Sequence, residues 1–270
     1  MTSEDALKQE AKRWFKPLAR AGYAARGLIY AVIGFFAALA AVGAGQPMDT
    51  QGALEKLLSS SAGGVLAYIL IAGLAFYSAW RLVQAGFDTD DHGTGAKGLA
   101  IRAGLLVSGM TYLTLAFYTW SLIRGAAEDG EGGGFAKGLT GAVGSRWAAA
   151  LLAVAFAAVG LAHALKALRE RYADHLEAEQ AKMQVIHPIA KTGLIARGVV
   201  FLVVAFLFAL RVFRASSGSG DTPGSREALG YIQSLPAGAW LLAATGLGLL
   251  AFALYSFTEA IYRRINVEDA

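Results

Sequence analysis

Three times along this chain of 270 residues, a basic residue and two glycines at fixed spacing open a long apolar stretch. The copies read RAGYAARGLIY (Arg20 to Tyr30), RAGLLVSGMTY (Arg102 to Tyr112) and KTGLIARGVVF (Lys191 to Phe201). Each is followed by a loop and a second apolar stretch. The apolar segments fall near 22–44, 64–85, 99–123, 147–168, 193–213 and 238–262. A helix of about 20 residues crosses the roughly 30 Å hydrocarbon core of a bilayer, so each segment is long enough to span. The pattern predicts an all-α membrane protein whose six transmembrane helices form three copies of a two-helix unit. Strand-period alternation is absent, which excludes an outer-membrane barrel.

The copies divide the chain into an N-terminal segment, 1–16, and repeats at 17–96, 97–187 and 188–270. Two spans per unit return the chain to its starting side, so the repeats run parallel. Such repeats are commonly related by an axis along the membrane normal, and a pseudo-threefold bundle is expected. The charged start, from Glu4 to Lys16, does not read as a cleavable signal peptide. Both termini fall on the side rich in Lys and Arg. The opposite side holds only Lys56, Arg124, Lys137, Arg146, Arg211, Arg214 and Arg226 of the 24 basic residues. The positive-inside rule therefore places both termini in the cytoplasm. Basic helix ends also favour anionic lipid head groups, whereas charge divided among span ends does not make a nucleic-acid surface. Trp120, Trp147 and Trp240 at outer ends, and Trp80 at an inner end, read as interfacial anchors.

Between the helices of copies one and three lie GALEKLLSS (Gly52 to Ser60) and REALGYIQSLP (Arg226 to Pro236). Ala53, Leu54, Leu57 and Leu58, and likewise Ala228, Leu229 and Ile232, fall at helical spacing. They predict short amphipathic helices that lie on or cap the bundle. Copy two has a Gly-rich stretch there, Gly130 to Gly134. The segment Arg169 to Gln184, rich in Glu, Arg and Ala, reads as a cytoplasmic extension of the fourth helix. Small residues let membrane helices approach closely, and Gly27 with Ala31, Gly160 with Ala164 and Ala244 with Gly248 are suitably spaced.

The candidate site residues are charges inside spans. Arg26 and Arg197 each stand about 9 Å of helical rise beyond the basic residue that opens their copy. Copy two has Ser108 at that position. An arginine in a span is costly and faces the bundle interior or a polar cavity, where it can hold a lipid head group, carboxylate or phosphate. Glu259 is the acid best placed to answer it, and Arg197 of the same repeat is the expected partner. The histidines share no ligand spacing, and the chain has no cysteine. DTDDHG (Asp88 to Gly93) lacks the closing carboxylate of a calcium loop and reads as a solvated acidic turn. No GxSxG, HExxH or P-loop is present, so neither an enzyme nor a cofactor is expected. Three readings remain, in this order: a structural or binding protein with lipid, a membrane-protein partner or a second copy as its ligand; a small-solute or anion transporter with Arg26 and Arg197 lining a polar cavity; and last an unrecognised membrane enzyme with lipid as substrate, which would need convergent ionisable groups on one face that the sequence does not show.

The motifs AARG (Ala24 to Gly27) and IARG (Ile195 to Gly198), with GAKGLAIRAG (Gly95 to Gly104) and LYSFTEAIYRRI (Leu254 to Ile265), resemble the bacterial membrane-protein family catalogued as domain of unknown function 1206. The resemblance runs from Pro17 to Ile265 and implies three repeats of two helices in the inner membrane. It implies no activity. Copy two departs from the arginine-glycine pattern at Ser108. Mitochondrial carriers share the three-times-two plan but carry Pro-x-Asp/Glu-x-x-Lys/Arg at the ends of odd helices, a signature missing here.

Overall fold

The computed structural model describes residues 3–59, 61, 63–90, 92–125, 145–213 and 225–265, all helical apart from turns and connections. The helices are α1 (Ser3–Ala41), α2 (Thr50–Leu58), α3 (Gly63–Phe87), α4 (Ala96–Ile123), α5 (Ser145–Leu168), α6 (Gln180–Phe213), α7 (Ser225–Ser234) and α8 (Gly238–Tyr262). Six of them, α1, α3, α4, α5, α6 and α8, are long and apolar enough to cross a membrane. Pro17 lies inside α1 and Pro188 inside α6, each three residues ahead of the basic residue that opens its copy. Each removes one rung of the helical hydrogen-bond ladder at the same place in copies one and three. Copy two has Leu99 there.

The motif glycines are where the long helices meet. The second glycine of copies two and three packs on the long helix before it in the row of apolar segments, α3 and α5, and that of copy one packs on α8, the last of them. A Cβ at Gly27 would lie 2.9 Å from the ring of Phe257 in α8, at Gly109 3.0 Å from Leu82 in α3, and at Gly198 2.9 Å from the carbonyl oxygen of Gly160 in α5. The first glycine packs on the second helix of its own repeat, but only in copies one and three. A Cβ at Gly22 would lie 2.7 Å from the Cα of Tyr77, and at Gly193 2.5 Å from that of Phe252, while Gly104 faces open space. The packed order is accordingly α4–α3–α1–α8–α6–α5, with no substantial packing between α4 and α5. These two helices bury the least of their surface of the six.

The short helices cap one end of this row, as their apolar spacing predicts. The Asp49 carboxylate accepts the Gly52 amide at 2.9 Å to start α2, whose Ala53 and Leu54 are fully buried. Ala228, Leu229 and Ile232 do the same for α7. The Gly-rich stretch of copy two and the run Ser216 to Gly220 lie outside the described residues.

At the other end, where α8 stops, the fourth helix does not extend as its composition suggests. It stops at Leu168; Glu170 takes a left-handed backbone (φ 53°), and a turn of 3-10 helix follows at Ala173–His175. Helix propensity yields here to burial, because the bend drives Tyr172 (1% exposed) in among Ile186, Leu194, Phe252 and Tyr255. The next residues then pair with the end of α8 through Glu177 N to Tyr262 O (2.7 Å) and Arg264 N to His175 O (2.9 Å). Trp80 is a second correction. It is 1% exposed and its indole donates to the Tyr23 hydroxyl at 3.2 Å, so it is an interior residue and not an anchor. Trp120, Trp147 and Trp240 are exposed.

Candidate functional site

Arg26 lies on the face of α1 turned to both α3 and α8, and it is 3% exposed. Its guanidinium donates to the Tyr77 hydroxyl at 2.6 Å, to the Ser256 hydroxyl at 3.1 Å and to the Glu259 carboxylate. The rings of Tyr23, Tyr77 and Phe252 surround it at 5.1, 5.3 and 5.2 Å. Three of its N–H groups are met by oxygens and its central carbon lies among three rings, which offsets the cost of holding a cation in apolar surroundings.

Glu259 does pair with an in-span arginine, but with Arg26 across the repeat boundary rather than with Arg197 of its own repeat. Its other oxygen takes Arg263 at 2.8 Å, one helical turn on. Arg263 also reaches Asp90 at 3.3 Å, and Asp90 accepts from the Gln84 amide at 2.7 Å. Asp90 is therefore a structural acid and not part of a solvated turn. Its neighbour Asp88 shapes that turn by accepting the amides of His92 and Gly93 at 2.9 and 2.7 Å. The cluster thus joins the ends of three long helices: Asp90 after α3, His175 after α5 at 3.9 Å from Asp90, and Arg263 after α8. Sequence reasoning missed Tyr77, Arg81, Gln84, Asp90 and Arg263. A signal existed for some of them, since Leu70, Leu74, Tyr77, Arg81 and Gln84 share one helical stripe.

Arg197 joins none of these hydrogen bonds or ion pairs, although it shares the Phe252 ring with Arg26. It lies 4.6 to 5.2 Å over the rings of Phe252, Tyr30 and Phe201, and its buried Nε has no hydrogen-bond partner. Ser108, at the same position of copy two, is half-buried on α4 beside Gly109, whose carbonyl accepts the Ser78 hydroxyl at 2.7 Å. Arg26 and Arg197 thus meet at one aromatic ring, and neither is hydrogen-bonded to Ser108 among the described residues.

His175 gives the cluster a pH response. Burial holds its imidazole below the ordinary range, helped by the charge of Arg263 and opposed by Asp90. A base whose folded pKa is lowered adds stability above its unfolded pKa, about 6.5, and that stability is lost as pH falls below it. Hydrogen-exchange protection of the Glu177 and Arg264 amides is therefore expected to decline between about pH 7 and 5. His175→Gln should remove that pH trend; a trend unchanged in the variant would assign it elsewhere.

An interior row of six apolar helices, closed at one end by short helices and at the other by paired charges, defines a multi-pass membrane protein. The chain belongs to the family described as Domain of Unknown Function (DUF1206), which matches at residues 21–88 and 192–263. Both matched regions begin within the arginine-bearing copies, and the middle copy lies outside them. The chain is also similar to the Uncharacterized protein YxxB of Bacillus subtilis, at 28% identity over 97% of this chain and 96% of the relative. No solved structure matches.

Proposed function

We propose that this is a non-catalytic binding protein of the bacterial cytoplasmic membrane, with both termini in the cytoplasm, that takes lipid or a membrane-protein partner along its helices. One observation carries the reading: Arg26, the cation best placed to meet a solute, is 3% exposed and committed to Glu259, Ser256 and Tyr77. A solute path through the interior would have to part this cluster and leave several buried charges without partners. The recess beside Arg197 holds about 10 Å³, on the scale of a single water. A larger recess of about 400 Å³ lies away from the cluster, lined by Glu55, Ser59, Gly63, Gly64, Ala67 and Leu122. The distribution of Lys and Arg supports the orientation. Arg26, Glu259, Arg263 and Asp90 are paired with one another, which supports a structural role for the cluster.

A small-solute or anion transporter is the second reading, and it draws on Arg197 alone, whose Nε lacks a partner. Reconstitution separates the two. Liposomes containing the protein are expected to release chloride and phosphate no faster than empty liposomes under an imposed potential. Release that exceeds the empty-liposome rate and falls in Arg197→Gln would establish transport instead.

A further inference from the structure

We infer that the recess at the capped end of the bundle, between α2, α3 and α4, is a binding site for a primary ammonium group carried on an apolar body. The inference rests on the binding reading above and names a ligand and its place. The recess holds about 400 Å³, within the range of small-molecule sites. Leu58, Ala67, Leu122 and Ile123 give it apolar walls, and Glu55 and Ser59 are its polar groups. It stands where α3 begins, at Gly63, and α4 ends, at Ile123, which for spanning helices is the level of lipid head groups. A Cβ at Gly63 would collide with the Leu58 carbonyl oxygen, so that glycine serves the turn; a Cβ at Gly64 would meet nothing within 4 Å. The elbow between α7 and α8 has the same spacing, with Gly238 against the Gln233 carbonyl oxygen. There Gly230, Ala239 and Leu242 stand where the first elbow has Glu55, Gly64 and Ala67. The Gln233 amide, in the place of Leu58, reaches the Ala40 carbonyl of α1 at 3.4 Å. Of the two elbows, the first has the acid and the smaller side chains.

Charge decides what fills the recess. The Tyr118 hydroxyl donates to one Glu55 oxygen at 2.6 Å and holds the carboxylate in place. The other oxygen has no hydrogen bond or ion pair among the described residues. Two neighbouring cations are engaged elsewhere, Lys56 over the Phe36 ring at 5.7 Å and Arg124 over the Trp120 ring at 5.0 Å. Asp49 and Arg226, of opposite charge, both stand at Gly52, at the start of α2. The ends of α2 and α4 each add about half a negative charge, against about half a positive charge at the start of α3. The sum is negative and selects a cation. One carboxylate among apolar walls does not suit calcium or magnesium, which take about six oxygen ligands or more. None of the described lining residues is aromatic, whereas a quaternary ammonium is recognised by aromatic faces. A primary ammonium brings three donors. They match the open Glu55 oxygen, the lone pairs of Ser59, whose hydrogen goes to the Lys56 carbonyl at 3.0 Å, and the last carbonyls of α2. An apolar body attached to it stays among Leu58, Leu122 and Ile123. The head group of phosphatidylethanolamine and a free alkylamine both carry this chemistry.

The test is native mass spectrometry of the detergent-purified full chain titrated with palmitoyl-oleoyl phosphatidylethanolamine. Palmitoyl-oleoyl phosphatidylcholine, its trimethylated counterpart, and hexylammonium serve as parallel probes. Phosphatidylethanolamine is expected to bind about tenfold more tightly than phosphatidylcholine, and hexylammonium to displace it. Glu55→Gln keeps the acceptor for Tyr118 and removes the charge, and should weaken phosphatidylethanolamine about tenfold. Gly64→Leu places a side chain in the open recess and should abolish the binding while the melting temperature stays within a few degrees of wild type. The test therefore stands even where one variant folds poorly. Equal phosphatidylethanolamine binding in wild type and either variant overturns the site, and equal binding of the two lipids overturns the primary ammonium. Glu55-dependent binding of hexylammonium with none of the lipid upholds the ammonium site and assigns it to a free amine. Failure here is distinct from failure of the binding reading, which only Arg197-dependent flux in liposomes would overturn.

Discussion

Glu259→Gln is expected to be the most damaging single substitution in this protein. The carboxylate is 2% exposed and holds two buried guanidiniums at once, Arg26 with one oxygen and Arg263 with the other. Glutamine keeps the shape and one acceptor but removes the charge, so both cations remain in apolar surroundings with only Asp90, Ser256 and Tyr77 to answer them. Breaking a buried pair in this way costs about 3–5 kcal/mol, because the remaining charge is uncompensated. A fall in melting temperature on the order of 10 °C follows, or failure to accumulate in the membrane. The companion substitution separates charge from packing. Adding Arg26→Gln to Glu259→Gln removes one of the stranded cations and should recover part of the loss, whereas the two effects would simply add if the residues acted independently. Strict additivity in the thermal melts, or a single variant as stable as the wild type, would remove the cluster from its place as the lock on the terminal end.

That lock was only half legible in the sequence. Periodicity and length predicted the six spans, the two capping helices and the presence of arginines and one acid inside the bundle, because those features are local. The partner of Glu259 is a matter of which helices touch. Arg197 is closer along the chain and belongs to the same copy, but α8 packs most extensively on α1, so its inward face meets Arg26. The same holds for Trp80, which looks like an anchor when the helix is taken to end near residue 85. Its stripe with Tyr77 and Gln84 places it inside, on Tyr23. Arg169 to Gln184 has helix-forming composition throughout, and what bends it is the burial of Tyr172 against residues from α6 and α8. In each case a contact from far along the chain overrode a local preference.

The glycines carry the second large expectation, since they are equivalent in sequence and unequal in space. Gly193→Val is expected to destabilise the protein severely. A Cβ there would sit 2.5 Å from the Cα of Phe252, and backbone cannot withdraw as a side-chain tip can. Overpacking of a tight contact costs about 1–3 kcal/mol when side chains can adjust, and a clash with backbone belongs at or above the top of that range. Gly22→Val, against the Cα of Tyr77 at 2.7 Å, should behave alike and would also displace the hydroxyl that Arg26 and Arg81 share. A Cβ at Gly104 would meet nothing within 4 Å, so Gly104→Val should leave the melting temperature within a few degrees of wild type. A bundle in which all three copies close equally would penalise the three substitutions equally, and melting of the purified variants in parallel decides between these outcomes. The close approach does not depend on an ion pair. Arg197 of copy three has no such partner among the described residues, yet Gly193 meets the backbone of Phe252 as closely as Gly22 meets that of Tyr77. What the two packed glycines share is a second helix within van der Waals range, and copy two lacks one at Gly104.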